Sequence, residues 1–238
     1  MIQTTEILKI QFATSSKEEI LETVIIGLKD KAKKTVIVTP NPELVVMGLA
    51  SKPYQDILNA ADISLPDGVG IVWASKVLGK GIKARISGVD FMKSLCEKVS
   101  KQPVTIGLFG AQPGVAEETA NCLRKMYSDL HISYVSDTWN LQKATEEKID
   151  ILFVALGSPK QEQWIYEHLE ELPVKVVMGV GGSFDMISGK VKRAPEFVRS
   201  LGLEWLWRLM IQPWRWKRQL RLLEFIRLVL LERYRGKK

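Results

Sequence analysis

Six short apolar runs, each closed by glycine, proline or a small polar residue, are spaced along this chain with helix-forming segments between them. They are Thr35-Val-Ile-Val-Thr39, Ile63-Ser-Leu-Pro66, Val104-Thr-Ile-Gly-Leu-Phe109, Ile132–Val135, Ile151-Leu-Phe-Val-Ala155 and Val174–Gly179. Continuous apolar runs of strand length fit strands buried on both faces, as in a parallel sheet. Their alternation with helices predicts an α/β fold: a Rossmann-like, mostly parallel sheet with helices on both faces. Ahead of them a short extended segment leads to a helix from about Ser16 to Asp30. Ser16 and Glu19 have the spacing of a capping box. Pro42 is placed to open the helix after the first run, because its missing N–H has no partner to lose there.

In an open α/β sheet, ligands bind beyond the carboxyl ends of the strands, so the residues just after each run sample the site. These are Thr39 and Asn41, Asp67 and Gly68, Gly110 to Gly114, Gly157 to Gln161, and Gly179 to Asp185, including Gly181 and Gly182. Glycine lets backbone approach a phosphate or ribose closely, and helix-start amides favour anions. A nucleotide-type ligand follows, although no dinucleotide or P-loop fingerprint is present and tight turns use the same glycines. Asp67, between Pro66 and Gly68, can serve as a base that removes a proton from an attacking hydroxyl; the same Asp-Gly pair is also a common turn.

Nothing in the sequence has metal-ligand spacing. Cys96 and Cys122 are far apart, the two histidines (His131 and His168) read as peripheral, and DxD is absent. No metal and no cofactor is therefore expected. Any diphosphate charge falls to backbone amides and to cations such as Arg85, Arg193 and the arginines of the tail.

Of 34 Lys+Arg, 11 lie in residues 199–238, with only three of the 27 Asp+Glu, so the tail carries +8 of the net +7 and the rest is nearly neutral. Four of the seven tryptophans fall at 205, 207, 214 and 216. Pro213 is expected to divide this stretch into two helices. Boundaries follow: a catalytic core over 1–195 and a helical appendage over 196–238. Tryptophan with arginine suits an anionic lipid interface; packing on the core and nucleic-acid binding are the alternatives, and nucleic acid is the least favoured. No apolar run approaches the roughly 20 residues that span a bilayer, and no signal peptide is evident. A cytoplasmic protein, peripheral to the inner face of the membrane, is expected.

Taken in order, the motifs resemble one family. They are Thr39-Pro-Asn41-Pro-Glu43, Pro66-Asp67-Gly68-Val-Gly70, Arg85-Ile-Ser-Gly88-Val-Asp90, Leu156-Gly-Ser-Pro-Lys-Gln161-Glu162, and Gly179-Val-Gly-Gly-Ser-Phe-Asp185 with Arg193-Ala-Pro195. The ending, Gly202-Leu-Glu-Trp205-Leu-Trp-Arg208 with Pro213-Trp-Arg215, continues the match. Together they resemble the WecG/TagA/CpsF glycosyltransferases over nearly the whole chain, with a shorter stretch between Val135 and Asp150 and a looser N-terminus. The resemblance implies inverting transfer of a sugar, often N-acetylmannosamine, from a UDP donor to a polyprenyl-diphosphate-linked N-acetylglucosamine, as in teichoic acid assembly. It implies Asp67 as the catalytic base, with Thr39, Asn41, Arg85 and Gln161 around the substrate and a basic appendage reaching the membrane. Arg208, Arg215 and Arg218 are then candidates to meet the donor diphosphate. A two-carboxylate glycoside hydrolase, with Asp185 or Asp90 opposite Asp67, is the enzymatic alternative, and a nucleotide- or nucleic-acid-binding module the other. Self-association through apolar surface near the appendage, as a homo-oligomer, is also expected.

Overall fold

The computed structural model describes residues 2–30, 33–213 and 216–235, with only the helical backbone at 217–219. The chain opens with β1 (Thr4–Ile7) and β2 (Ile10–Ala13), an antiparallel pair joined at Leu8 and Lys9, followed by α1 (Lys17–Gly27). The expected extended segment is thus a hairpin. Its turn residues take φ of 49° and 63° without glycine, which is why no turn signal marked it. The capping box forms as read: Glu19 N–H donates to Ser16 Oγ at 3.2 Å, and Ser16 N–H to Glu19 Oε2 at 2.7 Å.

Next come β3 (Thr35–Val38), α2 (Pro42–Ala50), α3 (Lys52–Ala60), β4 (Ile63–Ser64), α4 (Val69–Leu78) and α5 (Gly88–Val99). The second half runs β5 (Thr105–Gly110), α6 (Val115–Met126), β6 (His131–Ser136), α7 (Leu141–Glu146), β7 (Ile151–Ala155), α8 (Lys160–His168), β8 (Val176–Gly179) and α9 (Ser183–Ile187). Three helices close the chain: α10 (Glu196–Ser200), α11 (Glu204–Ile211) and α12 (Trp216–Arg235). Among the described residues the six strands from β3 to β8 form one parallel sheet, in the order β4-β3-β8-β7-β5-β6.

Alternate residues of these strands feed different layers, as the pleat requires. Ile37, Ile151, Phe153, Val176 and Met178 face a core shared with α1, α5 and α6. Val36, Val38, Leu152, Val154 and Val177 face the opposite core, with Ile165 of α8 and Ala144 of α7. A third core lies beyond the β4 edge, where the hairpin, α2, α3 and α4 pack together. It contains Phe225 and Val229 of α12, both fully buried. The last helix is therefore bolted onto α2 and α4, with Arg221 Nη1 pairing Glu43 at 2.6 Å and Arg233 Nη1 donating to the Val77 carbonyl at 2.6 Å. Its opposite side exposes Trp216, Leu220, Leu223, Leu230, Leu231 and Tyr234. Among the described residues no helix is long and apolar enough to cross a membrane.

Candidate active site

Where β3, β4, β7 and β8 end, a cleft of about 720 Å³ opens between the sheet and the helices that follow it. β3 leads to α2, which packs in the core beyond the β4 edge, and β8 to α9, which packs with α1, α5 and α6, so the chain parts at the carboxyl edge and leaves a crevice there. Among the described residues, α2, α4, α5, α8, α9 and α11 all place first-turn residues at this cleft, so several helix amide ends converge on it. That favours a negatively charged ligand.

Asp67 leaves β4 held by the backbone: its N–H donates to the Pro40 carbonyl at 3.2 Å, and the Ile86 N–H to the Pro66 carbonyl at 2.9 Å. Gly68, at φ 91°, makes the turn that starts α4, and a Cβ on Gly70 would lie 2.6 Å from Pro42 Cγ. Those two glycines let α4 start hard against α2. Burial pushes the Asp67 carboxyl up to about 6, opposed by Arg85, helped by Glu204, and opposed again by the Gly88 amide and Arg208. Raised basicity in a cleft wall is the property a general base needs.

The structure brings Thr39, Asn41, Asp67, Arg85, Gln161, Gly181, Gly182, Asp185 and Arg208 to one cleft. Asn41 also caps α2, its Oδ1 accepting from Leu44 N–H at 3.1 Å, which leaves its amide NH₂ for a ligand. Arg208 extends from α11 across Gly182, where an added Cβ would lie 3.0 Å from Nη2. Gln161 is almost wholly buried and serves the framework: Oε1 accepts from Gly181 N–H at 2.8 Å, and Nε2 donates to Glu162 at 2.7 Å.

Three expected residues stand outside the lining. Gly110 is a packing position, where a Cβ would meet Leu156 Cδ2 at 3.0 Å. The whole stretch 110–114, at and just beyond the end of β5 and separated from β3 by β8 and β7, takes no part in the cleft. Gly179 acts through Gln161, whose Nε2 lies 2.9 Å from the place of its Cβ. Arg193 is tied in two 2.6 Å bonds to Asp90 and a 3.3 Å bond to Glu204 rather than facing the cleft. That pairing also withdraws Asp90 as the second acid of a hydrolase. Arg215 and the side chain of Arg218 lie outside the described residues.

Three carboxylates, Glu204, Glu162 and Glu43, went unnoticed as site residues. Glu204, the one acid between Arg199 and Arg208, bonds Arg85 Nη2 at 3.1 Å and forms part of the cleft wall. Its signal was a lone acid opening a helix inside a basic tail. Glu162 is buried beneath the cleft, accepting from Ser158 Oγ at 2.8 Å and Tyr54 Oη at 3.1 Å, and burial raises both its carboxyl and the Tyr54 phenol. The third, Glu43, also lines the cleft and pairs with Arg221 Nη1 at 2.6 Å. Cys96 is buried, with its thiol pushed up to about 12, and His168 stacks on Trp164 with centroids 4.7 Å apart.

The cleft lining also has an apolar set from α2, α4 and α12: Leu44, Met47, Val69, Trp73, Leu222 and Ile226. Polar and apolar sets in one lining describe a site for an amphiphilic ligand.

Known proteins give the arrangement its family. Residues 5–238 match the model of the glycosyl transferase WecG/TagA/CpsF family. A Bacillus spizizenii protein named N-acetylglucosaminyldiphosphoundecaprenol N-acetyl-beta-D-mannosaminyltransferase is 35% identical, over 96% of this chain and 91% of its own. Proteins of the same name from Bacillus subtilis and Staphylococcus aureus are 34% and 32% identical, covering 97% and 90% of this chain and 93% and 85% of theirs. Similarity of that extent, on a cleft at the carboxyl edge of a parallel sheet, makes the chain a glycosyltransferase of the WecG/TagA/CpsF family.

Proposed function

We propose that this enzyme transfers N-acetylmannosamine, or a closely related sugar, from a UDP donor to N-acetylglucosamine on a polyprenyl diphosphate, with inversion and without a metal ion. The reading rests on Asp67: a carboxylate of raised basicity, fixed by backbone at a strand end, in a cleft lined by arginines, helix amide ends and apolar residues. The names of the relatives supply the sugar and the lipid acceptor.

In this mechanism the acceptor hydroxyl attacks the anomeric carbon as Asp67 takes its proton. The bond from that carbon to the UDP oxygen breaks, and the electron pair leaves on the diphosphate. One displacement inverts the anomeric centre. Arg208, Arg85 and the amide ends of α5 and α9 are suited to the departing charge. Among the described residues no three His, Cys, Asp or Glu side chains converge in a way that could hold a metal. The apolar set suits the first units of the polyprenyl chain, which would enter beside α12. The exposed apolar stripe of α12, with the basic tail around it, suits an anionic membrane surface where such a lipid resides.

The test is UDP release from UDP-N-acetylmannosamine, with a short-chain N-acetylglucosamine-diphosphate lipid and excess EDTA, for wild type and Asp67→Asn. Acceptor-dependent release that survives EDTA and collapses in the variant is expected. Full release by Asp67→Asn removes Asp67 as the base, and loss of release in EDTA overturns metal independence. Wild-type rates should rise as pH passes through about 6, as the carboxylate ionises.

A further inference from the structure

Beside the cleft, four charged side chains alternate in a row that joins the tail to the core. Arg85 bonds Glu204 at 3.1 Å, Glu204 bonds Arg193 at 3.3 Å, and Arg193 closes on Asp90 at 2.6 Å. Arg85, Glu204 and Arg193 are largely enclosed, with side chains 19%, 12% and 19% exposed. Asp90 belongs to the first turn of α5, Arg193 to the segment before α10, and Glu204 to the first turn of α11. Gly202 fixes where α11 starts: at φ 75° its missing Cβ would lie 2.6 Å from Val69 Cγ1, two residues beyond Asp67. The carboxylate of Glu204 thus arrives at Arg85 because the tail is pressed onto the start of α4.

Arg85 lies close enough to Asp67 to act on it electrostatically, yet its ion pair is with Glu204. Arg85 acts on both Asp67 and Asp90, and Asp90 is already held by Arg193 in two 2.6 Å bonds, so a guanidinium released from Glu204 would turn to Asp67, and a direct pair would make that carboxylate a weaker base and obstruct it. We propose that Glu204 is a positioning residue for the transfer reaction, engaging Arg85 so that it does not neutralise Asp67, and making the base competent only when α11 is seated. The proposal rests on Asp67 being the base.

The groups facing Asp67 are Arg85, Glu204 and Arg208, with the Gly88 amide from α5; behind Glu204 stand Arg193 and Asp90. Removing the Glu204 charge takes away a repulsion and frees an attraction, so both effects lower the pH at which Asp67 ionises. Both substrates of the proposed reaction are diphosphodiesters, which titrate far below this range, so the acid limb of the rate profile reports the enzyme.

The experiment is the pH dependence of kcat/KM for wild type, Glu204→Gln and Glu204→Asp, with Asp67→Asn run alongside and folding checked by thermal melting. In Glu204→Gln the acid limb should move down by roughly one pH unit while the plateau falls about tenfold. Glu204→Asp, which keeps the charge but withdraws it, should move the limb less in the same direction. It carries the test if the glutamine variant does not fold. An acid limb unmoved from wild type in the folded variant overturns the proposal whatever the plateau does, because a purely structural role lowers activity at every pH alike. Full activity in Asp67→Asn would instead remove the base itself, and this proposal with it.

Discussion

Asp67 works against the fold. Its carboxyl ionises near 6 in the folded chain, against an ordinary value of 3.8, so the folded state holds a proton that the unfolded state has released between those values. Stability from this group is full below about 3.8 and lost as pH rises through about 6. Asp67→Asn, which cannot ionise, should therefore melt higher than wild type at pH 8, by up to about 3 kcal/mol, with the gain vanishing near pH 4. The same variant should be without transfer activity. Arg208→Ala should lower kcat/KM by about 10²-fold with the melting temperature little changed, if its guanidinium receives developing diphosphate charge. Reading loops after strands located Asp67, Thr39, Asn41 and Arg208's neighbours Gly181 and Gly182, because a parallel sheet sends its strand ends to one edge. It missed Glu162, whose partner Tyr54 is 108 residues away, and the Arg85–Glu204 pair for the same reason. Pairings across such separations exist only in three dimensions.

Among the elements, α12 answers to two environments. One face holds Phe225 and Val229 at no exposure, while the other leaves Trp216 and Leu223 at 55% and 65%. Phe225→Ala should cost about 3–5 kcal/mol in denaturant unfolding, since it opens a cavity between α2 and α4. Trp216→Ser with Leu223→Ser should leave the unfolding midpoint nearly unchanged, yet weaken sedimentation with anionic lipid vesicles several-fold, an effect of membrane contact alone. The helical character of this stretch and its division at Pro213 were legible from composition and a helix breaker. Which face would be buried was not: apolar residues surround Arg227 on all sides, and only α2 and α4 decide among them. The opening hairpin was hidden for a simpler reason, since Leu8 and Lys9 hold left-handed conformations that sequence normally announces with glycine or asparagine.

At the scale of the molecule, the charge is lopsided, with a +8 tail on a nearly neutral body. Vesicle binding should accordingly fall steeply as salt rises from low to physiological strength, which flotation at graded ionic strength would measure. The fold class followed from alternating strands and helices, but the order β4-β3-β8-β7-β5-β6 did not, because connections of ordinary length leave neighbours open. That order has a bearing on how the enzyme is made. The strand synthesised last lies in the middle, bonded to β3 on one side and β7 on the other. Until residues 176–179 have left the ribosome, β3–β4 and β5–β6–β7 are two separate ribbons with nothing to register one against the other. The nascent chain therefore carries the Asp67-bearing ribbon and its future partner as strangers, and a competent transferase can arise only after a late, zipper-like insertion has joined them.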